Sequence, residues 1–590
     1  MPSQHLAEMA FLLRLDESST WIALNHYKKT PFGFKSEIVP SEFFVSSDGK
    51  FNPRKELDDT INGVFNSDRK TRLEYQKRFP ARYAWLCDAL GELNELENSS
   101  EFKIDGRFHN KDVAELLFAS ASFSEASSTM GHLFIRLRSA LDENGVNGEC
   151  ISFEAEVTSS STAGLIWKGL LGGFWGSYKL SAYHEKSKEY RDRYGRDIYT
   201  FKIICSPRDV KLLTYHFQEL RGVVFEYDYL KKNCANAMVP LINVLVRHGV
   251  CFRAVKPWNA PIDLVRCVVE AKVASIGSVD HSNYSNLKNG YNRLDRDGKE
   301  IVLKAIADSE WFANREGGVS AEVANVIALY GSCKYESFDV DDGVFNNLIS
   351  GASKSSVLNC EDLESQAVVG LGGCSTSAVN LGIAYNDSKF FAQFGIRPAA
   401  SEFVDTTVFF PIGTEFKVLS LDLRASVESG LEIYRFDFLS VKSLKDYTSI
   451  LREKSWELYL GGGGEFLSSP RLQYVWKFGG GYGFSKDVFG GKVYALSSAS
   501  LLSSALECNQ WGGQAGFDFG LGPLGYRGLT VAFRSSPMYN SIAQNFIIDS
   551  QFDCWFNVSE NNSVGGFFRL GCGLNTVIGM DSFLGFKHYF

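Results

Sequence analysis

The last residues run Phe583-Leu-Gly-Phe-Lys-His-Tyr-Phe590 and read as a strand that stops on an aromatic residue. Side chains alternate across a strand, so Leu584, Phe586 and Phe590 share one face and Lys587 takes the other. Outer-membrane β-barrels commonly finish this way, with apolar residues at alternate positions upstream; His588 departs from the pattern. Working upstream from this end, segments of roughly ten residues alternate apolar and polar back to about 365, separated by Gly, Ser, Asn and Asp. Leu419, Leu421, Leu423 and Ala425 share a face opposite Ser420, Asp422 and Arg424. Tyr434, Phe436 and Phe438 alternate with Arg435 and Asp437, and Trp456, Leu458 and Leu460 with Ser455, Glu457 and Tyr459. A soluble β-sandwich alternates too, but Asp, Arg and Glu on the inward faces suit a wet lumen. The expectation is an antiparallel transmembrane β-barrel of about twelve strands over 365–590, its last strand pairing with its first because lipid tolerates no open edge.

Composition agrees. Aromatics reach 14% and include 46 phenylalanines, with 54 glycines against 14 prolines, as in a sheet-rich protein with many turns. A net charge of −8 gives no reason to expect a nucleic-acid partner. No uninterrupted apolar run is long enough for a transmembrane helix. Met1–Ser19 lacks the basic start, apolar core and cleavage site of a secretory signal, so an outer-membrane location calls for export information from elsewhere, or for another location. The 12 cysteines form no CxxC pair, which leaves zinc and thioredoxin-type chemistry without support. Setting Cys234 aside leaves an odd number, so at least one further free thiol is expected.

Ahead of the barrel the chain divides into three parts. Residues 1–95 read as a helical module, with Trp21, Ile22, Leu24 and Tyr27 at helical spacing and a helix through Pro53–Asn66. Residues 100–260 mix strands (Leu116–Ser122, Leu133–Leu137, Ile151–Val157) with helices (Ser206–Leu220, and Ala235–His248 capped by Gly249). Residues 261–360 read as a helical connector, for instance Gly298–Ala307 and Ser320–Leu329.

Two segments of 100–260 carry chemistry. In Ser127-Ser-Thr-Met-Gly-His132-Leu-Phe-Ile-Arg136 a histidine opens an apolar strand. In Tyr227-Asp-Tyr-Leu-Lys-Lys-Asn-Cys234-Ala235 a cysteine opens an amphipathic helix behind Asn233, a good N-cap. Free N–H groups and the helix dipole at that position favour a thiolate. An imidazole beside it gives a Cys–His pair able to form a thioester. Histidine on a strand first and cysteine on a helix later is the order of α+β permuted papain-like folds, such as NlpC-type peptidases and lecithin:retinol acyltransferases. Pro240 lies inside the expected helix, which should start later or kink near Asn236.

The chain also resembles the family named for the N-terminal periplasmic domain of Lnb, a lipoprotein intramolecular transacylase-like family, in its Gram-negative subgroup with a C-terminal barrel. Trp21–Tyr27, Ser41–Gly49 and Arg78–Trp85 look like that subgroup's leading module. Ser128–His132, Lys168–Gly173, Glu189-Tyr190, Arg196-Asp197, Glu219–Gly222 and Asn233-Cys234 follow the order of its central motifs; Arg397-Pro398 and Ser455-Trp456 followed by Gly461 match in the barrel. The resemblance implies Cys234 as nucleophile and His132 as general base. The group orienting the histidine stays open between Ser152, where the family often has Asn, and Glu154. Asn233 caps the helix, and its backbone or that of Cys234 is placed to bind an oxyanion. Substrate contacts are expected from Asn233, Gly131, Leu170, Phe174 and Trp175; Lys168–Tyr178 is the candidate acyl-chain surface, with ordinary loop and core packing as the other reading. No phosphate-binding glycine loop is present, and neither cofactor nor metal is expected.

The expected function is that of a thiol acyltransferase or hydrolase acting on lipid or lipoprotein acyl groups. The thiol domain would face the periplasm from the outer membrane of a Gram-negative bacterium, and the barrel-assembly machinery would receive the strand ending in Phe590. The alternatives are an envelope peptidase or amidase acting on peptidoglycan, and a non-catalytic barrel, pore or scaffold, with a degenerate front domain.

Overall fold

The computed structural model describes the chain apart from residues 1–2, 67, 95–102, 123–128, 143–144, 157–163, 165–167, 170–171, 247–257, 337–340, 355–372, 406–409, 468, 505–509 and 575. The expected residues Leu170 and Gly249 lie outside the described set.

The leading module is helical, with helices Ser3–Leu12, Ser19–Leu24, Pro53–Val64, Arg69–Arg78 and Pro80–Leu90. Asn52 caps the third by accepting from the Lys55 amide, with Pro53 in its first turn. Tyr27 does not extend the second helix; it opens β1 (Tyr27–Thr30), which pairs with β2 (Gly33–Ser36) in a hairpin. Trp21 is fully buried and stacks on Trp85 with ring centroids 5.7 Å apart.

The second region is an antiparallel seven-stranded sheet in the order β8-β6-β5-β4-β3-β7-β9. The strands are β3 (Val113–Ala119), β4 (His132–Arg138), β5 (Glu149–Glu156), β6 (Phe174–Ala182), β7 (Ile198–Ile203), β8 (Phe225–Tyr227) and β9 (Ala274–Asp280). Central β3 is buried along almost its whole length, which explains its near-continuous apolar run. Its one charge, Glu115, sits between Arg136 and Arg138 of β4 at 2.7 and 2.9 Å, so the buried carboxylate is paired. Helices Pro207–Glu219 and Cys234–Leu245 share the apolar core, the first opened by a capping box of Ser206 and Asp209. The region runs past the expected boundary at 260: helix Pro261–Glu270 belongs to the same core and β9 pairs with β7. That pairing is long-range, and the polar texture after 260 hid it. The connector follows as helices Asn283–Arg293, Arg296–Ala307, Ser309–Asn314, Ala321–Glu336 and Asp342–Ser353 around a core of their own.

The C-terminal region is a closed antiparallel barrel of 12 strands. They are β10 (Ala378–Asn386), β11 (Lys389–Arg397), β13 (Glu415–Ser426), β14 (Gly430–Ser443), β15 (Ser455–Glu465), β16 (Gln473–Val488), β17 (Gly491–Ser504), β18 (Gln510–Tyr526), β19 (Leu529–Asn540), β20 (Asn545–Ser559), β21 (Asn562–Cys572) and β22 (Val577–Tyr589); a short β12 (Ala399–Ser401) lies beside β13. The last strand closes on the first, from Ala378↔Tyr589 to Asn386↔Asp581. Leu584 and Phe586 are 68% and 44% exposed on the outer wall, while Lys587 is 1% exposed inside and pairs with Glu402 at 2.8 Å. Two irregularities break the strict alternation read from β13 and β14. Leu419 takes a positive φ of 52° and drops out of the β13–β14 ladder. A register slip between Asp422 and Leu423 turns Tyr434 inward, where its hydroxyl donates to Asp581.

The lumen is filled by the chain itself. The segment after β12 tucks Phe403 and Val404 among Tyr494, Leu496 and Trp555, and Glu402 pairs with Arg397 and Lys587. At the other end Phe466 and Leu467 are buried. A cavity of about 200 Å³ remains between, lined by Arg435, Lys442, Glu457, Asp518, Arg534 and Arg569. No described helix is long and apolar enough to cross a membrane. Phe416, Val418, Leu439 and Val441, at the barrel end where β10 starts and β22 stops, join the core of the sheet region.

Candidate active site

Gly131 adopts φ +86°, a left-handed conformation, and turns the chain into β4. A Cβ there would lie 2.4 Å from the Phe118 ring and 3.0 Å from the Ala119 carbonyl oxygen. Glycine is therefore required for shape, and its place is against the core rather than against substrate. His132 follows, paired with Ala119 of β3. Its ring stacks on Phe134 at 6.2 Å and on Tyr190 at 5.9 Å, which holds the imidazole plane. Its Nε2 is buried and has no hydrogen-bond partner among the described residues.

Cys234 is the first residue of helix Cys234–Leu245. The helix neither starts late nor loses a turn: Pro240 lies inside it, leaving the Asn236 carbonyl without its helical donor. Asn233 caps it by accepting from the Asn236 amide at 3.2 Å, and donates to the Tyr229 and Asn259 carbonyls at 3.0 and 2.7 Å. Its side chain is spent on holding the loop to the helix. The backbone amides of Leu133, Ala235 and Cys234 itself bear on the Cys234 sulfur, each favouring the thiolate. The first of these belongs to the residue next to His132, so the start of the helix lies against the start of β4.

Burial overturns one expectation. Cys234 is only 3% exposed, and desolvation outweighs the three amides, pushing its thiol up to about 11 rather than down. His132 moves the other way, down to about 3, chiefly through burial and then through the Arg196 cation, with Glu154 opposing. The resting pair is thus a neutral thiol and a neutral imidazole.

Of the two candidate orienters, Glu154 has the better place. β4 and β5 pair Phe134 with Ser152, and the same register continued puts Glu154 opposite His132. Glu154 accepts from the Ser152 hydroxyl at 2.7 Å and from Lys186 at 2.8 Å. These donors, with His132, hold its carboxyl below the usual range against the opposing effect of burial. Ser152, fully buried, touches the carboxylate and serves as its support.

Sequence reasoning assigned no role to Arg196, Tyr190 or Lys186. Arg196 is buried, donates to the carbonyls of Ala119 and Ser120 at 2.8 and 2.6 Å, and lies over the Tyr190 ring at 4.8 Å. Its charge acts on both the imidazole and the thiol. Tyr190 belongs to a π-helical turn, Lys188–Arg193, a rare conformation that recurs at functional sites. The available signal was the pair of motifs Glu189-Tyr190 and Arg196-Asp197. In the candidate acyl surface, Phe174 is buried against Tyr229 and packs as core, whereas Trp175 on the other face of β6 is exposed.

Residues 102–271 match the family model of the Lnb N-terminal periplasmic domain, the family to which the motifs pointed. Two further models match the flanks: Domain of unknown function (DUF7843) at residues 13–89 and Domain of unknown function (DUF7840) at residues 372–564. No curated protein matches the chain. A periplasmic domain family joined to a closed 12-strand barrel fits an outer-membrane protein.

Proposed function

We propose that this chain is an outer-membrane-anchored thiol acyltransferase or hydrolase, its Lnb-like domain a permuted papain-like fold of the NlpC type that faces the periplasm. The observation that carries the reading is the packing of the Cys234 helix start on β4, where the amide of Leu133, the residue after His132, acts on the thiol. With both groups neutral at rest, the sulfur attacks an acyl carbonyl as His132 takes its proton. The carbonyl oxygen becomes an oxyanion within reach of helix-start amides. Collapse expels the amine or alcohol, which receives the proton from His132 and leaves an acyl thioester on Cys234. An amine or water, deprotonated by the same imidazole, then takes the acyl group and returns the thiol. Glu154 steadies the imidazolium formed in each half, as a carboxylate does in other nucleophile–histidine sites.

Support for a lipid or lipoprotein acyl donor comes from the barrel, whose membrane wall is continuous with the domain's core through Phe416 and Val418. One observation favours a second reading, a front domain without catalysis: the thiol is buried. The filled lumen gives a pore no matching support. The test is acyl migration on a synthetic diacylated lipopeptide by the full chain in nanodiscs, followed by mass spectrometry. The wild type should transfer or release one fatty chain, and Cys234→Ala and His132→Ala should not. Cleavage of a muropeptide instead would assign the thiol to peptidoglycan, and turnover by folded Cys234→Ala would end the thiol mechanism.

A further inference from the structure

On the outer wall of the barrel Ala495 pairs with Phe484 on one side and Phe519 on the other. Its small side chain leaves a hollow of about 470 Å³ walled by Phe484, Val493, Phe519, Leu521 and Phe533. Tyr447 roofs it from the loop between β14 and β15: its amide donates to the Ser485 carbonyl at 2.7 Å and its ring meets Phe484 edge-on at 5.0 Å. All these walls belong to the face that meets lipid, so an acyl chain is the natural filler.

Two lysines stand at the rim. The Lys454 ammonium lies 4.0 Å over the Phe484 ring, and Lys486, exposed on the same outer row, lines the hollow. Neither has a carboxylate partner among the described residues. The other lysines of this rim are paired: Lys445 with Glu453 at 3.1 Å, Lys288 with Asp446 at 3.1 Å and Lys492 with Asp487 at 2.5 Å. Cations held over an apolar groove at the end of a membrane wall meet the phosphate level of a bilayer.

We propose that this groove binds a glycerophospholipid of net negative headgroup, one acyl chain lying over Ala495 and the phosphate held by Lys454 and Lys486. The inference rests on the barrel spanning a bilayer, not on the chemistry of Cys234. The loop that carries Tyr447 has a second face: Leu444, Lys445, Asp446 and Glu453 wall a cavity of about 410 Å³ whose far side is Asp192–Gly195, next to Arg196. A lipid in the groove is therefore one loop away from the thiol domain, which gives the site a role in bringing lipid to that domain.

The test is native mass spectrometry of the full chain, released from detergent containing equal phosphatidylglycerol and phosphatidylcholine. The expected result is one retained lipid with about a tenfold preference for phosphatidylglycerol. Lys454→Gln and Lys486→Gln should each weaken phosphatidylglycerol binding about fivefold, the factor for ~1 kcal/mol per basic residue at a membrane surface. Ala495→Trp should abolish retention of both lipids with the lysines intact. Heat-modifiable migration of the same samples reports the barrel. A heat-modifiable protein without headgroup preference, or a double lysine variant that keeps it, overturns the site alone. A chain that is never heat-modifiable overturns the membrane barrel and the site with it.

Discussion

A single methyl group at Gly131 should loosen the strand that presents His132. Alanine there must hold φ near +86°, which costs about 1–2 kcal/mol for a side chain with a Cβ. The new carbon would also lie 2.4 and 2.6 Å from Phe118 ring atoms and 3.0 Å from the Ala119 carbonyl oxygen. Overpacking of that kind costs about 1–3 kcal/mol, for a sum of roughly 2–5 kcal/mol. The strain falls on the Ala119↔His132 pairing and on the Leu133 amide that acts on the Cys234 thiol. Hydrogen–deuterium exchange of the β4 peptide in the full chain reads it directly. Gly131→Ala should accelerate exchange by about 30-fold or more, at 1.4 kcal/mol per factor of ten. Phe118→Leu removes the nearest atoms, so the double variant should recover the packing part, about 1–3 kcal/mol, and not the backbone part. Unchanged β4 protection in Gly131→Ala would refute the reasoning.

Three other outcomes follow from the geometry. Glu154→Gln keeps the acceptor for Ser152 and Lys186 but removes the charge opposite His132; the Coulomb stabilisation of an imidazolium at ~5 Å is about 3 kcal/mol at an effective dielectric of ~20. The Glu154 side chain is 37% exposed, and halving that energy for solvent screening predicts a roughly tenfold slower single-turnover acylation, while an unchanged rate would remove Glu154 from the site. Alkylation of Cys234 should be slow at pH 7 and rise about tenfold per pH unit toward about 11, because burial holds the thiol protonated; a plateau near pH 7 would mean an ion pair instead. Buried His26 and His216 lie 3.2 Å apart between the leading module and helix Pro207–Glu219, with Glu219, Arg82 and Lys28 as their charged neighbours, and burial lowers both pKa values. Below about pH 6.5 the unfolded chain binds protons these imidazoles refuse, so their contribution to stability falls with acidification by up to about 1.4 kcal/mol per pH unit each. Urea midpoints between pH 7 and 5 measure it, and His26→Phe should flatten the slope.

The barrel was legible because a sheet with an apolar outer wall and a polar lumen carries a period-two pattern that no loop can fake over many strands, and because Lys587 and Leu584 had to face opposite ways. The irregularities at Leu419 and Tyr434 were not, since each breaks the alternation without changing composition. The local settings of Cys234 and His132 were legible: an N-cap before Cys234 and a glycine before His132 are local signals. The electrostatics of the pair were not, because Cys234 is buried by the fold and acted on by Leu133 and Arg196, distant in sequence. Arg196 itself reads as an ordinary surface arginine until β3 and β7 pair and bring the Ala119 and Ser120 carbonyls to it. The filling of the lumen by Phe403 and Val404 left no mark in the sequence, for a buried apolar pair in a loop is read as the edge of a strand.

The most direct test is peptide mass spectrometry of Cys234 in the full, heat-modifiable chain, acid-quenched after brief exposure to outer-membrane lipids and a diacylated lipopeptide. A hydroxylamine-sensitive fatty-acyl adduct on the Cys234 peptide, absent in His132→Ala, is the predicted result. An unmodified Cys234 in a protein that nevertheless transfers acyl groups, or the same adduct on another cysteine in Cys234→Ala, would contradict it.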